Sequence, residues 1–163
     1  MLVYLIGSLR NPEVPIVAKI LRDRGVEVFD DWHAGGKNAD EEWMKYEKER
    51  GRTYHEALRG YNAHHVFSYD LFHLNRCDVG VMVAPAGKSG HLELGYILGQ
   101  GKPGYIYMPE DPERWDIMSL FATGIFKHAN GLIAELEKIK CNYQQSTSRT
   151  LPPGVLLPQS QLL

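Results

Sequence analysis

CDVGVMVAPAGKSGHLELGYILGQGKP, residues 77–103, contains a strand, a loop and a helix in that order. Val79 to Ala84 is a short, Val-rich apolar run of the kind that is buried on both faces in a parallel sheet, and it stops at Pro85. Residues 85–89 read as a loop, and from Gly90 the apolar positions Leu92, Leu94, Tyr96, Ile97 and Leu98 take up helical spacing. Ser89 is then the expected N-cap. Glu93 would fall in the first turn, where the partial positive charge of a helix N-terminus favours an ionised carboxylate. Two readings of Glu93 stand side by side: a nucleophile or ion partner where a buried strand hands over to a helix, or an ordinary first-turn Glu completing a cap.

Outward from this stretch, strands alternate with helices, the pattern of a layered α/β fold. Leu2 to Ile6 reads as strand one. Asn11 can cap a helix that has Pro12 at its first position and an apolar stripe of Ile16, Val17, Ile20 and Leu21, stopped by Gly25. Val26 to Phe29 is strand two. A charged stretch follows, with a helix near Asp40 to Glu49 and another opening at Thr53, whose spacing to Glu56 matches a capping box. That second helix is expected to reach about Arg76, with a break near Ser68. Gly104 to Met108 reads as strand four, Pro112 to Phe121 as a helix, Gly124 to Phe126 as a short strand or turn, and Asn130 to Lys140 as the closing helix. The expected architecture is a single-domain three-layer α/β sandwich over residues 1–140, flavodoxin- or Rossmann-like. Its sheet is mostly parallel, with about five strands and a helical insertion near 33–66 after strand two. Residues 141–163, rich in Gln, Ser, Thr and Pro, read as a flexible tail whose Leu156, Leu157, Leu162 and Leu163 could dock on a neighbouring surface.

Composition narrows the function classes. A chain of 163 residues is one domain with room for a substantial core. With 18 basic and 20 acidic residues the formal net charge is -2, so no broad positive field recruits a nucleic-acid polymer. Cys77 and Cys141 form no CxxC pair, and the apolar stretch from Met1 to Gly7 is too short for a signal peptide or a membrane span. These features lead to the expectation of a reduced, cytoplasmic protein without a membrane partner.

In an open parallel sheet, ligands bind beyond the strand ends near the point where strand order reverses. After strand one lie Gly7, Ser8, Leu9 and Arg10; after strand two, Asp30, Asp31 and Trp32; after strand three, Gly87, Lys88, Ser89 and Glu93; after strand four, Met108. Gly7 and Ser8 would let a ligand approach the backbone, Arg10 can fork onto a phosphate or carboxylate, and Lys88 with the amides behind Ser89 can cradle a second anion. Such a pocket suits a nucleotide-sized molecule. For Arg10 alone, a solvated surface charge is the competing reading.

The segments YLIGSLR, YDLFHLNRCDVGVMVAP and GKSGHLELGYILGQGKP resemble the nucleoside 2-deoxyribosyltransferases and the related 2'-deoxynucleoside 5'-monophosphate N-glycosidases, over roughly residues 1–110 without much of 33–66. The most specific part is Asp70, then Asp78-Val79, then Ser89-x-x-x-Glu93-x-Gly95-Tyr96. The resemblance implies an enzyme of nucleotide metabolism and salvage, without cofactor or metal, acting on a small nucleoside or nucleotide and assembling as a homo-oligomer. Glu93 would attack the anomeric carbon and form a covalent glycosyl-enzyme, which a second base or water resolves. Asp70 would lie beside the sugar and help protonate the departing base, Tyr4 would orient the nucleophile, and Ser89 would contact the sugar or its 5'-phosphate. Without the resemblance, Asp70 reads as a helix-surface carboxylate and Tyr4 as core packing on an alternating strand. Asp78 reads as structural, capping a turn.

The chain departs from that family's pattern in two places. Gly87 and Lys88 stand where many transferases carry a base-reading Asp, and the chain ends in Leu162-Leu163 rather than an aromatic residue. Arg10 and Lys88 together favour a phosphorylated substrate. The insertion, with Trp43, Tyr46, Tyr54 and Tyr61, is either a lid over the base or a helical hairpin packed on the body or in a subunit interface. Its His64 and His65 are adjacent and point apart on a helix, so no metal site is read there. Trp115, Asp116 and Met118 would either wall the base side of the pocket or pack within a helix. Two other functions use the same residues: cleavage of the ribosyl bond of NAD or a similar nucleotide derivative, and non-catalytic nucleotide binding.

Overall fold

Five parallel strands, β1 (Leu2–Ile6), β2 (Glu27–Phe29), β3 (Val79–Val83), β4 (Gly104–Tyr107) and β5 (Gly124–Phe126), form one sheet in the order β2-β1-β3-β4-β5. The computed structural model describes residues 1–148. The helices are α1 (Glu13–Asp23), α2 (Ala39–Glu49), α3 (Tyr54–Ala57), α4 (Tyr61–Arg76), α5 (Lys88–Gly99) and α6 (Ala129–Ser148). Strand order reverses between β1 and β3, the switch point at which such sheets open a crevice.

Alternation along the strands divides the core into two layers. Val3 and Leu5 of β1 and Val79, Val81 and Val83 of β3 face α1 and α6, where they meet Val14, Val17, Leu21, Leu132 and Leu136. Leu2, Tyr4 and Ile6 face the other way, with Met82, Ile106, Leu74, Leu94 and Ile97, toward α4 and α5. Each of these aliphatic side chains contributes about 1.5–3 kcal/mol on burial. Helix α5 lies close to the sheet because β3 carries Gly80 beneath it: a Cβ there would stand 2.7 Å from Cδ1 of Ile97. A second tie runs through Asn75, in the last turn of α4. Its Oδ1 accepts from the Tyr96 hydroxyl (2.8 Å) and from Gln100 Nε2 (3.0 Å), while Lys102 Nζ donates to the Asn75 carbonyl (2.6 Å).

Several local expectations change. The α1 stripe is Val14, Val17, Ala18 and Leu21, so Ile16 is half exposed; the helix is rotated because Val14 and Ala18 complete the i, i+3, i+4, i+7 series that faces β1. Pro12 has helical dihedrals and Asn11 Oδ1 accepts from the Glu13 amide, as a capping Asn does. The Thr53–Glu56 capping box forms, but the chain breaks at Gly60 rather than near Ser68, and α4 runs unbroken through Ser68. Residue 66 is therefore inside the crossover helix and is no boundary of the insertion. Residues 112–116 are not helical; only Ile117–Phe121 forms a 3-10 turn, capped by Asp116 accepting from the Met118 amide (2.9 Å). Asp78 accepts from the Leu2 amide across the sheet (2.7 Å) instead of capping its own turn. The last helix continues past Lys140 to Ser148, so residues 141–148 are not tail; the four C-terminal leucines lie outside the described residues. Among the described residues no helix is long and apolar enough to cross a membrane.

Candidate active site

At the switch point the backbone turns after β1 and after β3 diverge and leave a cleft of about 550 Å³. Its floor and near walls are Gly7, Ser8, Leu9 and Arg10 after β1, Asp31 and Trp32 after β2, and Gly87, Ser89, Gly90 and Glu93 after β3 and on α5. Helix α4 supplies His65, Val66, Tyr69 and Asp70, the segment leading into α2 supplies Gly35 and Lys37, and the start of α2 supplies Ala39 and Asp40. Nine of the twelve expected site residues that could face a ligand, counting Glu93 and Asp70, thus share one cavity.

Glu93 and Asp70 come from different helices and meet in this cleft. Burial raises the Glu93 carboxyl, and the neighbouring Asp70 charge raises it further, to about 7. Asp70 is itself raised by burial. Tyr4 is only 1% exposed, stacked at a tilt on Phe29 with ring centroids 5.0 Å apart. Its hydroxyl is held protonated by burial first, then by the charges of Glu93 and Asp70. Tyr4 thus lies within the electrostatic reach of the two carboxyls, buried in the core, and does not line the cavity. The competing readings resolve in part: Tyr4 is core packing and is also coupled to both acids.

Glu93 is the sixth residue of α5, not a first-turn residue. The helix begins at Lys88 with Gly87 as N-cap, no side chain caps it, and Ser89 is already inside it, facing the cleft. The helix thus starts two residues earlier than expected, which moves Glu93 deeper into it, and burial is the larger cause of its raised pKa. Gly7 does line the cleft, yet its lack of a side chain serves helix packing: a Cβ would stand 2.5 Å from Val14 Cγ2 on α1. Trp32 is fixed by donating its indole N–H to the Leu5 carbonyl (2.8 Å).

Three expected contacts do not form. Lys88, the first residue of α5, is exposed and does not line the cleft. Met108 is partly buried against the core layer that faces α4 and α5 and does not line the cleft. Asp116 and Met118 belong to a second, more apolar groove of about 540 Å³ on the other side of α5, and Trp115 is 84% exposed. Sequence reasoning in turn missed Lys37, Asp40, His65, Val66 and Tyr69. Tyr69 and Val66 stand one and four residues before Asp70, so once Asp70 is assigned to the site, helical spacing points to Val66 as a neighbour. Lys37 and Asp40 carry no such signal, since the fold of the insertion alone brings them in.

No family model matches the chain, and no curated protein matches it. Among solved structures it is similar to a 2-deoxyribosyltransferase from the psychrotolerant bacterium Bacillus psychrosaccharolyticus, at 21% identity and a TM-score of 0.55, over 82% of this chain and 90% of that one. It is also similar to the CMP N-glycosidase BcmB of Clostridium botulinum, at 12% identity and a TM-score of 0.51, over 84% and 99%. At such identities the likeness establishes the fold, and the chain shares the parallel three-layer α/β architecture of two enzymes of the kinds its motifs resemble.

Proposed function

We propose that this protein cleaves the N-glycosidic bond of a 2'-deoxynucleoside or its 5'-monophosphate, passing the sugar through Glu93 to a second base or to water. The observation that carries the reading is the convergence of Glu93 and Asp70 from two helices in one cleft at the switch point, with the Tyr4 hydroxyl within their electrostatic reach. A carboxylate oxygen of Glu93 attacks C1' as the bond from C1' to the base nitrogen breaks, and the electron pair leaves with the base. Burial, and then the charge of Asp70, keep the Glu93 carboxyl protonated up to about pH 7, so the nucleophile is the form that has lost this proton. Asp70, itself raised by burial, stands beside the ionised nucleophile to pass a proton to the departing base. Tyr4, kept protonated, can donate to the Glu93 carboxylate and turn it toward the sugar. The acceptor then attacks C1' and releases Glu93.

The sequence motifs support the same chemistry, since Asp70, Ser89 and Glu93 are their most specific residues and all three line the cleft. The aromatic and apolar residues Trp32, Val66 and Tyr69 offer faces for a base. The test is incubation with deoxynucleosides and their 5'-monophosphates, each with and without a second free base, with products resolved by chromatography and mass spectrometry. A new nucleoside that forms only with the second base establishes transfer; free base with deoxyribose or its phosphate establishes hydrolysis. Ligand binding without either product would replace this reading with a nucleotide-binding module.

A further inference from the structure

The one arginine that lines the cleft is already paired within the chain. Arg10, on the turn after β1, donates from Nη2 to Oε1 of Glu41 on α2. That hydrogen bond holds the Glu41 carboxyl below the ordinary carboxylate range, so the partner is charged at neutral pH. The other cation on the cleft wall is Lys37, against the carboxyls of Asp31, Asp40, Asp70 and Glu93. A phosphate site has the opposite balance, with several cationic or amide donors converging on one dianion. A 5'-phosphate arriving at Arg10 must either displace Glu41 or lie against it, and close like charges are penalised. A neutral 5'-hydroxyl meets neither obstacle.

We infer that Glu41 is a specificity-determining residue of this cleft: seated on Arg10, it selects neutral 2'-deoxynucleosides over their 5'-monophosphates. This rests on the glycosidic-cleavage reading of the same cleft. It also reverses the preference that Arg10 and Lys88 suggest in the sequence, because one of those cations is paired and the other is outside the cleft. The ion pair is exposed on both sides (61% and 46%), so its own strength is modest; the selection comes from competition for Arg10 and from repulsion at close range. Glu41 belongs to the insertion, which gives that segment a role in substrate choice.

The experiment compares kcat/KM for a deoxynucleoside and its 5'-monophosphate in the wild type, Glu41→Gln and Glu42→Gln. The wild type should prefer the nucleoside, and Glu41→Gln should raise the ratio of monophosphate to nucleoside by about tenfold or more. Glu42→Gln removes the same charge from the same helical turn without touching Arg10, and its ratio should stay at the wild-type value. A wild type that prefers the monophosphate, an unchanged ratio in Glu41→Gln, or an equal shift in Glu42→Gln would each overturn the inference. Calorimetric titration with inorganic phosphate and with the 5'-monophosphate separates this from the reaction itself. If no substrate is turned over, the cleavage reading fails, and tighter phosphate binding by Glu41→Gln than by the wild type still upholds the role of Glu41, whereas equal binding removes it.

Discussion

Glu93 keeps its proton to about pH 7 in the folded chain, against 4.5 for an ordinary Glu, because it is buried and faces Asp70. The folded state therefore binds more protons than the unfolded one between these values, and stability falls as pH rises from 4.5 through 7. Glu93→Gln lacks that penalty. Its stability relative to the wild type should swing upward by about 3 kcal/mol between pH 4.5 and pH 8, read by denaturant unfolding; a difference that does not vary with pH would mean the carboxyl is well solvated. The same variant should lose turnover by about a thousandfold or more while remaining folded. Activity should follow the ionisation of the nucleophile, so kcat/KM falls below about pH 7. Asp70→Asn removes a negative neighbour, makes Glu93 easier to ionise, and should move this acid limb to lower pH whatever happens to the plateau. A limb that stays in place would show that burial alone sets it.

Helix α5 carries Glu93 at a height set by the glycine beneath it. Gly80→Ala would put a Cβ 2.7 Å from Ile97 Cδ1, so either α5 lifts or Ile97 leaves its rotamer. The expected cost is about 1–3 kcal/mol of stability, with a loss of activity because Glu93 is one turn from Ile97. Adding Ile97→Val removes the clashing methyl and should recover much of both, which a double-mutant cycle in unfolding and turnover would measure. The helices also show where periodicity misleads. In α5, Leu92 is 76% exposed and Tyr96 41%, although both belong to the apolar set that makes the segment read as a helix. Two apolar faces on one helix are legible from spacing, but which of them meets the sheet depends on the glycines opposite.

The sheet order places β1 and β3 side by side at the centre, so the cleft draws on residues 7–10, 31–40, 65–70 and 87–93, distant in sequence. The outer surface also bears on assembly. Leu92 on α5 and Ile117, Leu120 and Phe121 beyond β4 are each more than 70% exposed, and the apolar groove opens between these elements. We propose that copies of the chain cover this apolar surface in each other. The chain should therefore behave in solution as a homo-oligomer, measured by light scattering after gel filtration, and Leu120→Glu should reduce its mass toward that of one chain. A wild type that runs as a monomer would leave this surface to another partner.

The amino-acid sequence by itself determined the α/β class, the positions of all five strands to within a residue or two, and Glu93 as a candidate for chemistry, with Asp70 joined to it only through the family resemblance. Buried strands, caps and glycine stops are local signals, legible from residues close together in the chain. The tertiary structure alone decided that α5 begins at Lys88, that Lys88 and Met108 miss the cleft, and that Lys37, Asp40 and His65 line it. It also decided that Arg10 is held by Glu41, a residue 31 positions away. Such pairings depend on how the helical insertion lies over the strand ends, and long-range packing of exposed, charged segments leaves no periodicity in the sequence from which to read it.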